Sequence, residues 1–181
     1  MHREQNESRQ PGAVLAIFWG GLLCGVLDIA YAFALFGALG VRPARLLQGI
    51  AGGILGPSAF RGGLETAALG LFLHFFIAYG AATVYYVASR KLHFMVRQAF
   101  LAGMLYGVAV HVFMNFVVIP LSAIAHRPFN LGIFVLNGFE HMLLVGLPIA
   151  LAIRKFSERP SAKMSAEPFQ EPSSKAARVT S

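Results

Sequence analysis

Apolar residues run along this chain in four long blocks, residues 12–40, 64–89, 98–120 and 131–153. Each block reaches the roughly 20 residues that cross about 30 Å of hydrocarbon at 1.5 Å per residue. Lipid offers backbone amides no partner, so such segments satisfy their own hydrogen bonds as helices. A transmembrane barrel would instead show alternating segments of about 10 residues, and these blocks do not alternate. The pattern predicts an all-α integral membrane four-helix bundle occupying residues 12–155.

The first block could pass for a secretory signal. Its apolar run is much longer than the roughly 7–15 residues of a signal core, and Asp28 sits in its middle, so it reads as an uncleaved span. Between the first two blocks lies RPARLLQGIAGGILGPSAFRGG, residues 42–63. Its apolar part, residues 46–55, is too short to cross and predicts a short interfacial or re-entrant helix ended by Gly56 and Pro57. Residues 1–11 and 156–181 carry no apolar period and are expected to be disordered. No internal repeat is evident, because the polar residues of the two halves do not align at a fixed offset.

Charged residues make up 13% of the chain, against roughly a quarter in soluble domains. The net charge of +7 does not point to nucleic acid, because Lys and Arg cluster just outside the apolar blocks rather than on a folded polar face. There they act as topology signals. The N-terminus, the loop between the second and third spans and the tail hold 11 of them. Four, Arg42, Arg45, Arg61 and Arg127, fall on the other side. Both termini are therefore expected to be cytoplasmic. The one cysteine, Cys24, excludes an intramolecular disulfide framework and a Cys-rich metal knuckle. Inside an apolar helix it reads as an inert packed thiol. Glu65, at a helix start, suits the positive end of the dipole.

Small residues mark helix contacts in lipid. Gly21 and Gly25 on the first span and Gly103 and Gly107 on the third each form a Gly-x-x-x-Gly, which predicts that these two helices meet. The same stripes carry ionisable groups at helical spacing: Asp28 after Gly25, and His111 and Asn115 after Gly107. His74 lies in the stripe Ala67, Gly70, Ala78, Ala81 of the second span. These groups are accordingly expected to face the interior.

Counted from residues 40, 64, 120 and 130 with the helical rise, Asp28 lies about 18 Å deep, His74 about 15 Å, His111 about 14 Å and His141 about 16 Å. One ionisable residue from each span thus falls near the midplane. Glu140 stands beside His141, and Asn115 one turn beyond His111. Glu140 and His141 point about 100° apart on an α-helix, and His141 is expected to be the one facing the centre. Ionisable groups at mid-bilayer are costly, which makes them functional-site candidates.

Four readings follow. The groups act as interhelical glue, Asn115 and Asn137 included. They relay protons or pass a small solute, for which histidine's near-neutral titration suits. They bind a divalent metal through His74, His111 and His141, with Asp28 or Glu140 as carboxylate partner. Or two histidines, His74 with His111 or His141, hold a b-type haem. No His-x-x-x-His pair, Gly-x-Ser-x-Gly elbow or phosphate loop occurs, so no catalytic residue is assigned and an enzyme is disfavoured. Pro120 and Pro148 are expected to end or kink their helices.

The stretches LHFFIAYGAATVYYVASRKL (73–92), LYGVAVHVFMNFVVIPLSA (105–123) and HMLLVGLPIALAIRK (141–155), with LLQGIAGGILG (46–56), resemble an uncharacterised family of small bacterial integral membrane proteins. The resemblance covers most of residues 15–155 and implies a multi-pass inner-membrane protein. It implies no activity, cofactor or site residue. The expected function is passage of protons or a small solute through the polar cluster; the alternatives are a haem- or metal-binding protein or a non-catalytic accessory subunit. Its partners are expected to be the lipid bilayer and a second copy or another membrane protein.

Overall fold

A computed structural model describes residues 10–124 and 129–157. The first span is α1 (Gln10–Ala38). A short helix α2 (Pro43–Leu55) and a 3₁₀ segment (Gly56–Arg61) lead to the second span, α3 (Gly63–Lys91), and a one-turn helix α4 (Phe94–Arg97). The third span is composite: α5 (Ala99–Phe113), a π turn (Met114–Val118) and α6 (Ile119–Leu121). So is the fourth: α7 (Leu131–Glu140), a π turn (His141–Gly146) and α8 (Leu147–Ser157). No strand occurs among the described residues. Four helical stretches, Gly12–Ala38, Gly63–Lys91, Ala99–Leu121 and Leu131–Ser157, are long and apolar enough to cross a membrane. The chain is a multi-pass helical membrane protein, as the hydropathy blocks predict.

The ends need some adjustment. Helix α1 already begins at Gln10 and α8 continues to Ser157, so both intrude on stretches expected to be disordered. The rest of those stretches, 1–9 and 158–181, lies outside the described residues, as does Arg127. Between spans, the expected short helix forms over Pro43–Leu55, with Pro43 in its first turn, where a missing N–H costs nothing. Gly56, at φ +60°, ends it, a backbone conformation that glycine adopts without strain. Asn130 caps α7 by accepting from Ile133 N at 3.0 Å.

Large apolar side chains point outward: Phe72, Phe76, Phe100, Phe113 and Phe116 are all exposed. The interior is small, built around Ala16, Cys24, Ala78, Ala82, Ala99 and Ala150 with Tyr85 and Ile149. That inversion fits a lipid solvent, in which helices associate by close backbone approach rather than by hiding apolar surface. Cys24 is 1% exposed, its Sγ directed at the carbonyls of Gly21 and Ala78, the packed thiol expected.

The pairing of helices differs from the sequence expectation. The fourth span packs against both α1 and α5, and α1 also packs against α3. Gly21 and Gly25 lie under Tyr79 and Phe75 of α3, whereas Gly103 and Gly107 lie under Ala150, Leu147 and His141 of the fourth span. The two glycine motifs therefore serve two different interfaces and do not join the first span to the third. The reason is reciprocal fit. Gly146 on the fourth span is itself pressed on Gly103 and Gly107, so glycine meets glycine there, while on α3 aromatic rings fill the notch. Helix α2 lies along α3, with Gly70 against the Leu47 carbonyl. It is tied to the end of the third span by Ala123 N donating to Gly53 O at 2.8 Å. Gln48 Nε2 donates to Gly63 O at 2.9 Å, and Arg45 lies over the Phe60 ring at 3.8 Å.

Candidate functional site: a polar cluster shared by four spans

Asp28 enters from α1, one turn beyond Gly25, where the close approach of α3 brings His74 alongside. His74 Nε2 donates to Gly25 O at 2.8 Å, which turns Nδ1 toward Asp28 Oδ2 at 3.9 Å. From the fourth span come Glu140 and His141, with His141 Nδ1 2.5 Å from Glu140 Oε2 and 2.9 Å from Asn137 O. Asp28, Glu140 and His141 each offer a ligating atom, and those atoms lie within 4.8 Å of one another. The His111 ring of α5 stands edge-on to His141 with centroids 5.0 Å apart. Asn115 Nδ2 donates to His111 Nδ1 at 3.3 Å and to its carbonyl at 2.9 Å. All six residues singled out in the sequence therefore belong to one connected cluster with contributions from all four spans.

Glu140, rather than His141, is the deeper of the adjacent pair. Its side chain is 3% exposed against 17% for His141. A helical wheel separates neighbours by about 100°, and the π turn begins at His141. Both side chains nonetheless reach the cluster. Among the described residues, two buried polar atoms have no hydrogen-bond partner, Glu140 Oε1 and His111 Nε2. Such orphans are rare in native interiors and concentrate here. The His111 imidazole lies over Gly138, where a Cβ would meet it at an ordinary contact distance of 3.5 Å.

The histidines do not converge as a three-imidazole metal site. Among the described residues, only His141 joins a potential ligand set, with the two carboxylates. His74 backs Asp28, and His111 packs between His141 and the Phe134 ring, 4.5 Å away. One residue escaped the sequence reading. Tyr31, one turn after Asp28, donates to Asn137 Oδ1 at 3.4 Å. With Glu140, Leu136, Phe139, Leu143 and Leu144 it lines a groove of about 260 Å³. Its i+3 spacing from Asp28 is the signal that could have found it. Asn137, expected as interhelical glue, contributes both its side-chain oxygen, to Tyr31, and its carbonyl, to His141.

Both prolines have the same local consequence. The N–H of Leu147 bonds five residues back to Met142 O, and that of Ile119 bonds five back to Met114 O. In each case the next residue is proline, which has no N–H to continue the ladder and crowds the carbonyl four residues before it. The widened turns thus lie beside His141 and directly after His111, the kind of location where π turns recur at functional sites. Comparison with protein-family models, curated proteins and solved structures returned no match for this chain.

Proposed function

We propose that this protein is a small transporter-like protein of a bacterial inner membrane, with both termini cytoplasmic, that passes a small cation through the cluster at Asp28, Glu140 and His141. The carrying observation is the convergence of two carboxylates from different spans on one imidazole, with ligating atoms within 4.8 Å. Two carboxylates from facing spans, each beside an imidazole, make a set of oxygen and nitrogen donors in a low-dielectric interior, where unbalanced charge is costly. A positive charge is what such a set is built to hold. The Asp28 side chain is 28% exposed, whereas that of Glu140 is 3% exposed, so Asp28 stands at the edge of the cluster and Glu140 at its centre.

The orientation is supported by the distribution of 11 Lys and Arg on one side against four on the other, following the positive-inside tendency. Four spans enclose little volume, so a complete path calls for association with a second copy. The test is cation flux into liposomes holding the purified protein, followed with a pH-sensitive dye and with monovalent and divalent tracers. Cation flux above that of empty liposomes, reduced at least about tenfold in Asp28→Asn by loss of an interaction worth about 1.4 kcal/mol, is expected. Flux equal to empty liposomes, or unchanged in the variant, would leave the polar groups as helix glue and end the reading.

A further inference from the structure

We propose that Asp28, Glu140 and His141 form a binding site for one divalent transition-metal ion, of the manganese, iron(II), cobalt or zinc class. The inference deepens the cation reading above and rests on it for biological purpose, but binding can be tested without transport. Three independent features converge. The ligating atoms come from two spans and lie within 4.8 Å of one another. Metal–ligand distances of about 2.1 Å limit ligand–ligand separations to about 4.2 Å, close to that span; with Glu140 Oε2 on His141 Nδ1, ligation through Nε2 takes a side-chain rotation of His141 or Glu140. Glu140, with its side chain 3% exposed, keeps Oε1 without a partner, and an ion supplies the partner that this oxygen lacks.

The imidazole is already oriented. His141 Nδ1 is engaged by Asn137 O at 2.9 Å and by Glu140 Oε2. A neutral ring donating its hydrogen there carries its lone pair on Nε2. Carbonyl or carboxylate support of the second ring nitrogen is the usual arrangement behind a metal-bound histidine. Charge balances as well: two carboxylates neutralise a divalent ion, so the loaded site is uncharged in a medium that penalises net charge. His74, 3.9 Å from Asp28, stands behind that carboxylate on the side of α3.

Ligand type sets the class. Imidazole nitrogen with carboxylate oxygen suits mid-series divalent metals, whereas calcium and magnesium take oxygen ligands. A soft copper(I) site would need thiolate, and the Cys24 sulfur is directed at the carbonyls of Gly21 and Ala78 instead. Three protein ligands leave coordination positions for water, the open form expected of an ion that must be released.

The test uses the full chain, purified in detergent with its affinity tag removed, stripped with a chelator and titrated with Mn²⁺, Zn²⁺ and Mg²⁺ by calorimetry. Elemental analysis after dialysis gives the stoichiometry. One Mn²⁺ or Zn²⁺ per chain is expected, with Mg²⁺ weaker by at least about tenfold. Glu140→Gln and Asp28→Asn should each weaken binding by at least about tenfold, while His93→Ala, at an exposed residue of the loop after α3, leaves it unchanged. Bound Co²⁺ gives a visible absorption band that should change in His141→Ala, a readout that a general loss of packing does not imitate. Less than stoichiometric binding by the unaltered chain, or affinities unmoved in both carboxylate variants, overturns the proposal. Cation flux without metal binding would sink this site and leave the transport reading standing; binding without flux would do the reverse.

Discussion

At the scale of single residues, the molecule is built on places where a side chain is missing. A Cβ at Gly107 would land on the His141 carbonyl, and one at Gly146 would land on the Gly103 carbonyl. These two glycines set the separation of the third and fourth spans and hence the level at which His111 meets His141. Gly146→Ala is expected to lower the detergent melting temperature, since overpacking of this kind costs about 1–3 kcal/mol. Gly37→Ala, where a Cβ meets nothing within 4 Å, should leave it unmoved. Equal melting temperatures for both variants would show that the two spans are not in direct backbone contact. Tyr85 offers a second check. Its hydroxyl donates to Met95 O at 3.0 Å from a fully buried ring. Tyr85→Phe should cost about 1 kcal/mol, the net worth of a typical hydrogen bond, read as a smaller loss of melting temperature than that of Gly146→Ala.

At the scale of elements, the two π turns lie beside the polar cluster. A π turn inserts one residue into the helical count, which rotates everything beyond it by about 100° relative to an uninterrupted α-helix. It shifts the register of Leu147–Ser157, whereas Glu140 and His141 stand at the start of the turn and both reach the cluster, although a wheel drawn on the sequence favours only His141. Hydropathy length made the four spans legible, and counting along the helices singled out Asp28, His74, His111 and His141, which the structure brings into one cluster. The partner of each glycine motif was not, because a Gly-x-x-x-Gly says that something packs there and nothing about what. Gly146 and Tyr79 supplied that information only in three dimensions. Pro148→Ala restores the missing donor and is expected to let His141–Gly146 relax toward α-helix. It should raise thermal stability, since a helix-interior proline costs about 3 kcal/mol, while weakening metal binding at least about tenfold. Calorimetry and melting curves on the same preparation check both; tight binding retained in a stabilised variant would separate the π turn from the site.

At the scale of the whole molecule, the cluster forms a line from His74 through Asp28 to Glu140, His141 and His111. For the cation passage proposed above, direction would come from which side of the membrane opens to the cluster, so the orientation of the chain bears on that proposal, and it can be read directly. Cys24 is 1% exposed and needs no replacement before new cysteines are introduced. Ser58, in the 3₁₀ segment after α2, and His93, in the loop after α3, are both exposed and lie at opposite ends of the second span. With both termini cytoplasmic, Ser58→Cys should react with a membrane-impermeant maleimide in intact spheroplasts. His93→Cys should react only after the membrane is opened. The opposite pattern would place the positively charged loop Arg90–Arg97 outside, against its 3 Lys and Arg, and would reverse the side from which Asp28 is approached. Labelling of both in intact spheroplasts would mean that α3 does not cross at all, and the cluster would lose its His74 end.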